Sequence, residues 1–306
     1  MRTLVLYTLP PDVLGPDRTV FEFELAGVAE FVARALPAAT VRAVYGRPTE
    51  ILEILRKTNP DVVFNLCEAP LGRPDLEAHV AALLEWAGAR FTGCGSETLA
   101  LCRRKDLTTA VLCAAGIGVP ANIDPSNPRF PCVVKPAAED GSVGIHDHSL
   151  CHDAEQLQFA LHRLAEPAMV AEFVPGREFS VSLWGRRDPD YFSIGETTRE
   201  RGSPLITYAA KWEGDGHPEG HSPISQPDDL DTGAEEAILS AARGAWRAVG
   251  ARHALRVDVR LDGQGAPRVL DVNPNPAISP VMGFCRAVQE AGWRWEDFVN
   301  KLVGWA

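Results

Sequence analysis

Residues 255–276, LRVDVRLDGQGAPRVLDVNPNP, alternate apolar and polar side chains on both sides of a polar turn at 262–265. A period of two around such a turn specifies an antiparallel hairpin with one oily face. Leu255, Val257, Val259 and Leu261 point one way with Leu270 and Val272, while Arg256, Asp258 and Arg260 point the other way with Asp271 and Asn273. Folded symmetrically about Gln264 and Gly265, the hairpin sets Asp258 opposite Asp271, with Asn273 beside them. Two carboxylates and an amide carbonyl are hard oxygen ligands suited to Mg²⁺, which completes its shell with phosphate and water. Proline on both sides of Asn275 stops the ladder, because proline has no backbone donor. Taken alone, the pattern fits the solvated face of an ordinary hairpin equally well.

The chain has 306 residues, enough for two or three domains with sizeable cores. Its 45% hydrophobic and 23% charged residues suit a soluble globular protein, and no apolar run is long enough to cross a membrane. The opening MRTLVLYTLPPD ends its apolar run at two prolines without a small-residue cleavage pattern, so it reads as a first strand. A net charge of −11 argues against a nucleic-acid partner. Seven cysteines stand singly with no CxxC pair, which indicates neither a disulfide framework nor a zinc site. Reduced thiols in a cytoplasmic protein are the expectation.

Short β-branched or aromatic runs at 3–7, 40–45 and 61–65 alternate with helical patterns at 20–36 and 51–57, the signature of a parallel sheet. A helix over 75–86, with Val80, Leu83, Leu84 and Ala87 at core spacing, precedes a short strand at 90–92, which closes a first α/β unit near Cys94. Ser96 is the expected N-cap of the next helix. After a proline-rich connector, a strand at 132–134 leads to Lys135 and a loop with Gly141, Ser142 and Gly144. Small residues there let backbone N–H groups turn towards an anion beside a lysine. The alternative is a plain glycine turn with a surface lysine. Helices at 153–164, 231–249, 281–291 and 295–303 and strands at 168–173 and 177–184 complete the reading. Glu172 and Glu178 bracket the Pro175-Gly176 turn, where carboxylates could accept hydrogen bonds from a purine amino group or ribose hydroxyls, or simply end exposed strands.

In this order, FNLCE, EAHVAALLEWAGARFTG, VVKPAAEDGSVGI, EFVPGREFSV, YAAKW, RVDVRLDGQG and LDVNPNP resemble the ATP-grasp superfamily, and within it the D-alanine-D-alanine ligase-like branch. The resemblance covers nearly the whole chain from about residue 61. It implies three α/β domains, here 1–94, 95–174 and 175–306, that hold ATP between two sheets. It implies an enzyme that uses ATP and Mg²⁺, as two ions with Mn²⁺ as a substitute, to phosphorylate a carboxylate that an amine then attacks. By the same resemblance Lys105, Lys135 and Ser142 touch phosphates, Glu172 with the backbone of Phe173 and Val174 holds adenine, and Glu178 binds ribose. Lys211 matches the mobile-loop lysine over the terminal phosphate, Arg256 the arginine at the reacting carbonyl, and Asp258, Asp271 and Asn273 the metal ligands.

Departures from the branch bear on specificity. Gly141 stands at the place of a substrate-linked serine, Trp212 at that of a tyrosine, Ala277 at that of a glycine, and Met282 at that of a serine facing the second substrate's carboxylate. The expectation is a ligase for small amino-acid-like carboxylate and amine substrates other than D-alanine, with a homodimer implied by related enzymes. A true D-alanine-D-alanine ligase and a non-catalytic ATP-binding module are the alternatives. Glu22, Glu68, Arg73 and His79 are candidates for substrate contact.

Overall fold

The computed structural model describes the chain apart from residues 10–18, 140, 165–166, 198–203, 210–223 and 280–281, with backbone alone for 19–24. Three sheets organise the described residues. In the first, β1 (Thr3–Thr8) lies between parallel β2 (Thr40–Val44) and β3 (Val62–Leu66). Parallel neighbours need crossover connections, which α1 (Thr19–Ala35) and α2 (Pro48–Thr58) supply. Both faces are buried: Leu4, Leu6 and Val63 share a core with Ile51 of α2 and with Val80 and Leu84 of α3 (Glu77–Trp86), while Val5, Val62 and Phe64 pack with Val28 and Val32 of α1.

Two helices, α4 (Ser96–Arg103) and α5 (Lys105–Ala114), lead to a small antiparallel sheet. There β4 (Cys132–Pro136) runs between β5 (Leu150–Cys151) and β6 (Ala168–Glu172), and α6 (Ala154–Arg163) backs it. Asp153 caps α6 by accepting the Gln156 N–H at 2.9 Å. Strand register puts Cys132, Val134 and Val170 on the α6 side with Leu157 and Ala160, and turns Lys135, Met169 and Ala171 the other way.

The third sheet holds five antiparallel strands in the order β11-β10-β7-β8-β9, namely β7 (Glu178–Gly185), β8 (Tyr191–Thr197), β9 (Ile224–Ser225), β10 (His253–Leu261) and β11 (Pro267–Asn273). One face packs Phe179, Val181, Val257 and Val259 against Ile238, Ala242 and Trp246 of α7 (Thr232–Ala248). On the other face Trp184 joins Phe284 of α8 (Gly283–Glu290) and Phe298 of α9 (Trp295–Trp305), in a core that also contains Val5 and Phe64 of the first sheet. The first and third sheets therefore share both large cores, while the small sheet has its own.

Three local expectations change. The strand at 90–92 shrinks to one bridge, Val63 with Phe91, because the chain turns away at Gly93, whose φ is 92°. Ser96 begins α4 rather than capping it, since its N–H and Oγ both go to Glu85, at 3.0 and 2.5 Å. Strands β8 and β9 carried no clear periodic signal and were not anticipated. All seven cysteines are free thiols, six of them buried. Among the described residues, no helix is long and apolar enough to cross a membrane.

Candidate active site

Asp258 stands opposite Asp271, though by a different route from the symmetric turn. Leu261 pairs with Pro267, Arg260 with Arg268 and Val259 with Val269. The tight loop is fastened by Asp262, whose Oδ1 accepts the N–H groups of Gln264 and Ala266, each at 2.9 Å. Continued without a break, this register would face Asp258 with Leu270 and carry Asp271 to the oily side. A bulge between Val269 and Asp271 corrects it, leaving Leu270 as the extra, unpaired residue. Leu270, expected on the oily face, is thus only half-buried, and Val269 takes its place in the core. The Leu270 carbonyl accepts the Lys135 ammonium at 3.1 Å.

Around this hairpin the charges converge. Lys105 opens α5, its N–H donates to Ala137 O at 2.9 Å, and its buried Nζ reaches both oxygens of Asp271, at 2.8 and 2.6 Å. Arg256 donates to Asp258 through Nε at 3.0 Å and Nη2 at 3.1 Å, and Ser180 Oγ and Asn273 Nδ2 reach the same carboxylate at 3.2 and 3.4 Å. Burial pushes the Asp271 carboxyl up, but the combined pull of Lys105, Lys135 and Arg256 holds it below the ordinary aspartate range. The donor set fits Mg²⁺. Two carboxylates directly across a strand pair, with an amide oxygen beside them, are what a Mg²⁺ shared with phosphate oxygens requires. Among the described residues, no group of three or more His, Cys, Asp and Glu could hold a metal by itself.

A second cluster lies at the other end of the same face. Buried Arg260 donates to Glu178 at 2.7 Å, to Val174 O at 3.0 Å and to Pro204 O at 2.8 Å, with its guanidinium 5.5 Å from the Phe173 ring centroid. Glu178, Phe173 and Val174 are thus brought together. The Glu172 side chain is not: the pairing of Cys132 with Glu172 sets it on the α6 face, opposite to Lys135. It is exposed there and accepts the Ala121 N–H at 3.4 Å. The carboxylate thus alternates out of the Lys135 face. Ser142 has φ 65° between Gly141 at 65° and Gly144 at 75°, so the loop turns through consecutive left-handed residues. Lys211 and Trp212 lie outside the described residues, as does the side chain of Glu22.

Several contributors escaped the sequence reading. Ser180 follows from β7 lying beside β10, and its alternation could have been used only once that neighbour was known. Asn275, between the two prolines, donates through Nδ2 to Glu77 Oε1 at 2.6 Å and ties the loop after β11 to α3. Arg73 pairs with Asp75 and His79 is exposed, so neither reaches the cluster through a contact seen here.

Comparison with known proteins gives the geometry its lineage. The family described as D-ala D-ala ligase C-terminus matches residues 121–304. The uncharacterized protein y4sG of Sinorhizobium fredii is 30% identical over 254 residues, 79% of this chain and 73% of that protein. D-alanine–D-alanine ligase of Gluconobacter oxydans is 29% identical over 238 residues, 74% of each chain. Among solved structures, D-alanine–D-alanine ligase of Bacillus anthracis complexed with ATP superposes with a TM-score of 0.74 at 15% identity, covering 99% of this chain and 96% of that one. The VanG D-Ala:D-Ser ligase of Enterococcus faecalis gives 0.74 at 18% identity, covering 100% and 99%. With the fold, the sequence profile and the hairpin of acids all in agreement, the chain belongs to the D-Ala-D-Ala ligase C-terminus family and has the ATP-grasp fold.

Proposed function

We propose that the protein is an ATP- and Mg²⁺-dependent ligase that joins a small amino-acid-like carboxylate to an amine, with a specificity other than D-alanine for D-alanine. The observation that carries this reading is the pairing of Asp258 with Asp271 on one face, met by ammonium groups from Lys105 and Lys135 on separate elements. In the reaction, a carboxylate oxygen attacks the γ-phosphorus and the bond to the β–γ bridging oxygen breaks, releasing ADP. The amine then attacks the acyl carbon, phosphate departs with the carbon–oxygen bonding pair, and the ammonium proton passes to phosphate or solvent. Lys105 and Lys135 hold phosphate oxygens, Ser142 and its loop cover them, and Lys211 closes from the segment after Tyr208. Arg256 stabilises the charge that builds on the carbonyl oxygen. Asp258, Asp271 and Asn273 would hold Mg²⁺, which supplies Lewis-acid stabilisation of the transferring phosphoryl group.

Adenine is assigned to Glu172 with the backbone of Phe173 and Val174, and ribose to Glu178. The domains in this reading are 1–94, 95–174 and 175–306, with the small sheet of the central one as the lid. Altered specificity rests on Gly141, Ala277 and Met282, which stand where the D-alanine enzymes carry other residues. A relative of the same fold is itself named for D-serine rather than D-alanine as acceptor. Incubation with Mg-ATP and pooled L- and D-amino acids should release ADP and yield a new condensed mass that names both partners. ADP release from D-alanine alone, at a rate matching the pool, would return the protein to true D-alanine ligation. No ADP from any mixture of amines and carboxylates would end the ligase reading.

A further inference from the structure

The small sheet has two sides, and only one faces the paired acids. On the other, behind the glycine loop, lies a cavity of about 240 Å³. At ~30 Å³ per water it has room for roughly eight waters, enough for a small organic ion and too little for a nucleotide. Val134 of β4, Ala160 and Leu164 of α6 and Val143 of the loop make it apolar. The loop rests directly on its floor, since a Cβ on Gly144 would come within 2.5 Å of Pro136 Cγ.

The mouth is cationic and aromatic. Arg163 and the imidazoles of His146 and His148 line it. His146 stacks on His148 at 5.0 Å, His148 meets Phe159 edge-on at 5.5 Å, and the Arg163 guanidinium lies 5.3 Å from the centroid of the same ring. Phe159 is 52% exposed, so its ring is open to solvent at the mouth while holding His148 and Arg163. Arg163 is steadied by that ring alone, for among the described residues no carboxylate pairs with it. Burial, helped by His146 and Arg163, keeps the His148 pKa below its ordinary value, so near neutral pH His148 is an uncharged hydrogen-bonding group and Arg163 is the fixed cation. Among the described residues the acid on the wall is Glu139, which has Arg103 Nη2 at 3.8 Å. A guanidinium that pairs with no carboxylate among the described residues, set above an apolar chamber, selects for a single negative charge attached to a hydrophobic body.

We propose that this cavity is a second ligand site, separate from the paired acids, which takes a small monocarboxylate with an apolar or aromatic tail on Arg163. The loop of Gly141, Ser142 and Gly144 is the wall between it and the Lys135 face, so a ligand here biases the loop and anything bound on the far side biases the ligand in return. The site itself stands without the ligase reading, and only the coupling depends on it.

Titration of the full-length protein with phenylacetate, followed by calorimetry and ligand-observed NMR, tests this directly. Phenylacetate should bind at least about tenfold more tightly than phenylacetamide, and R163Q should lose a comparable factor. A160L, which intrudes on the chamber from α6, should abolish binding, with R163Q and the amide carrying the test if this core position melts early, and saturating Mg-ATP should shift the affinity without displacing the ligand. Equal binding of the amide, full affinity in R163Q, competitive displacement by Mg-ATP, or no binding at millimolar phenylacetate would each overturn the proposal. Because these measurements read binding, their failure leaves ADP formation from substrates a separate question.

Discussion

The body and the small central sheet are held together by opposite kinds of contact. The first and third sheets are fused through two apolar cores, one running from Leu4 to Trp246 and the other from Val5 to Phe298. The central sheet keeps a separate core of seven residues around Leu157 and Val170, and hydrogen bonds tie it to the rest. They include Lys105 N–H to Ala137 O and Lys135 to Leu270 O. Apolar contact is non-directional and tolerates no water, whereas a polar seam can exchange its partners for solvent or substrate at small net cost. A unit that must close over a ligand and reopen needs the second kind of joint, and here that joint runs through the candidate active site.

The contrast can be broken from either side. Trp246→Ala removes a fully buried ring from the shared core and should cost about 4 kcal/mol, melting the first and third sheets in one transition by calorimetry. Leu157→Ala strikes the small core instead, and should cost about 3 kcal/mol locally. Hydrogen exchange should then rise across 132–172 while α7 and α9 keep their protection. A global loss of protection would show that the two units are one cooperative block. Lys135→Met should leave the melting temperature nearly unchanged yet slow ADP formation by about 10²-fold, the loss typical of one positioned donor.

A smaller effect marks the body's own seam. His253 begins β10 and accepts the Gly93 N–H at 3.0 Å, with φ 68°. Burial, reinforced by Arg252, pushes its imidazole down to about 3. The unfolded chain, with an ordinary histidine near ~6.5, binds more protons than the folded one between those values. Stability should therefore fall as pH drops through that window, by up to ~1.4 kcal/mol per pH unit from this group. His253→Asn, which tolerates the left-handed backbone, should flatten that part of a urea-denaturation profile against pH. Smallest of all, Glu139→Gln at the seam with Arg103 should shift stability by under about 1 kcal/mol.

Legibility in the sequence followed the same division. The parallel unit could be read because β1 and β3 are buried on both faces and its strands alternate with helical patterns. The faces of the β10–β11 hairpin were equally plain, and the pairing of Asp258 with Asp271 came out as expected. The bulge did not, because Val269 and Leu270 are adjacent and both apolar, so a period of two cannot say which one turns inward. Glu172 shows another limit. Alternation along β6 fixes its parity, but only the pairing with β4 reveals that this parity is the α6 side. Arg260 and Glu178 lie far apart in the chain and meet only through the register of β10 with β7.

Leu270 gives the hairpin an expansion joint. The outer half, next to the loop, is offset by one residue from the inner half that carries Asp258 and Asp271. A slip or length change at the surface end can be absorbed there before it reaches the acids. The inner half is insulated from drift in its own tip, and the slack in the strand pair lies where the Lys135 ammonium rests.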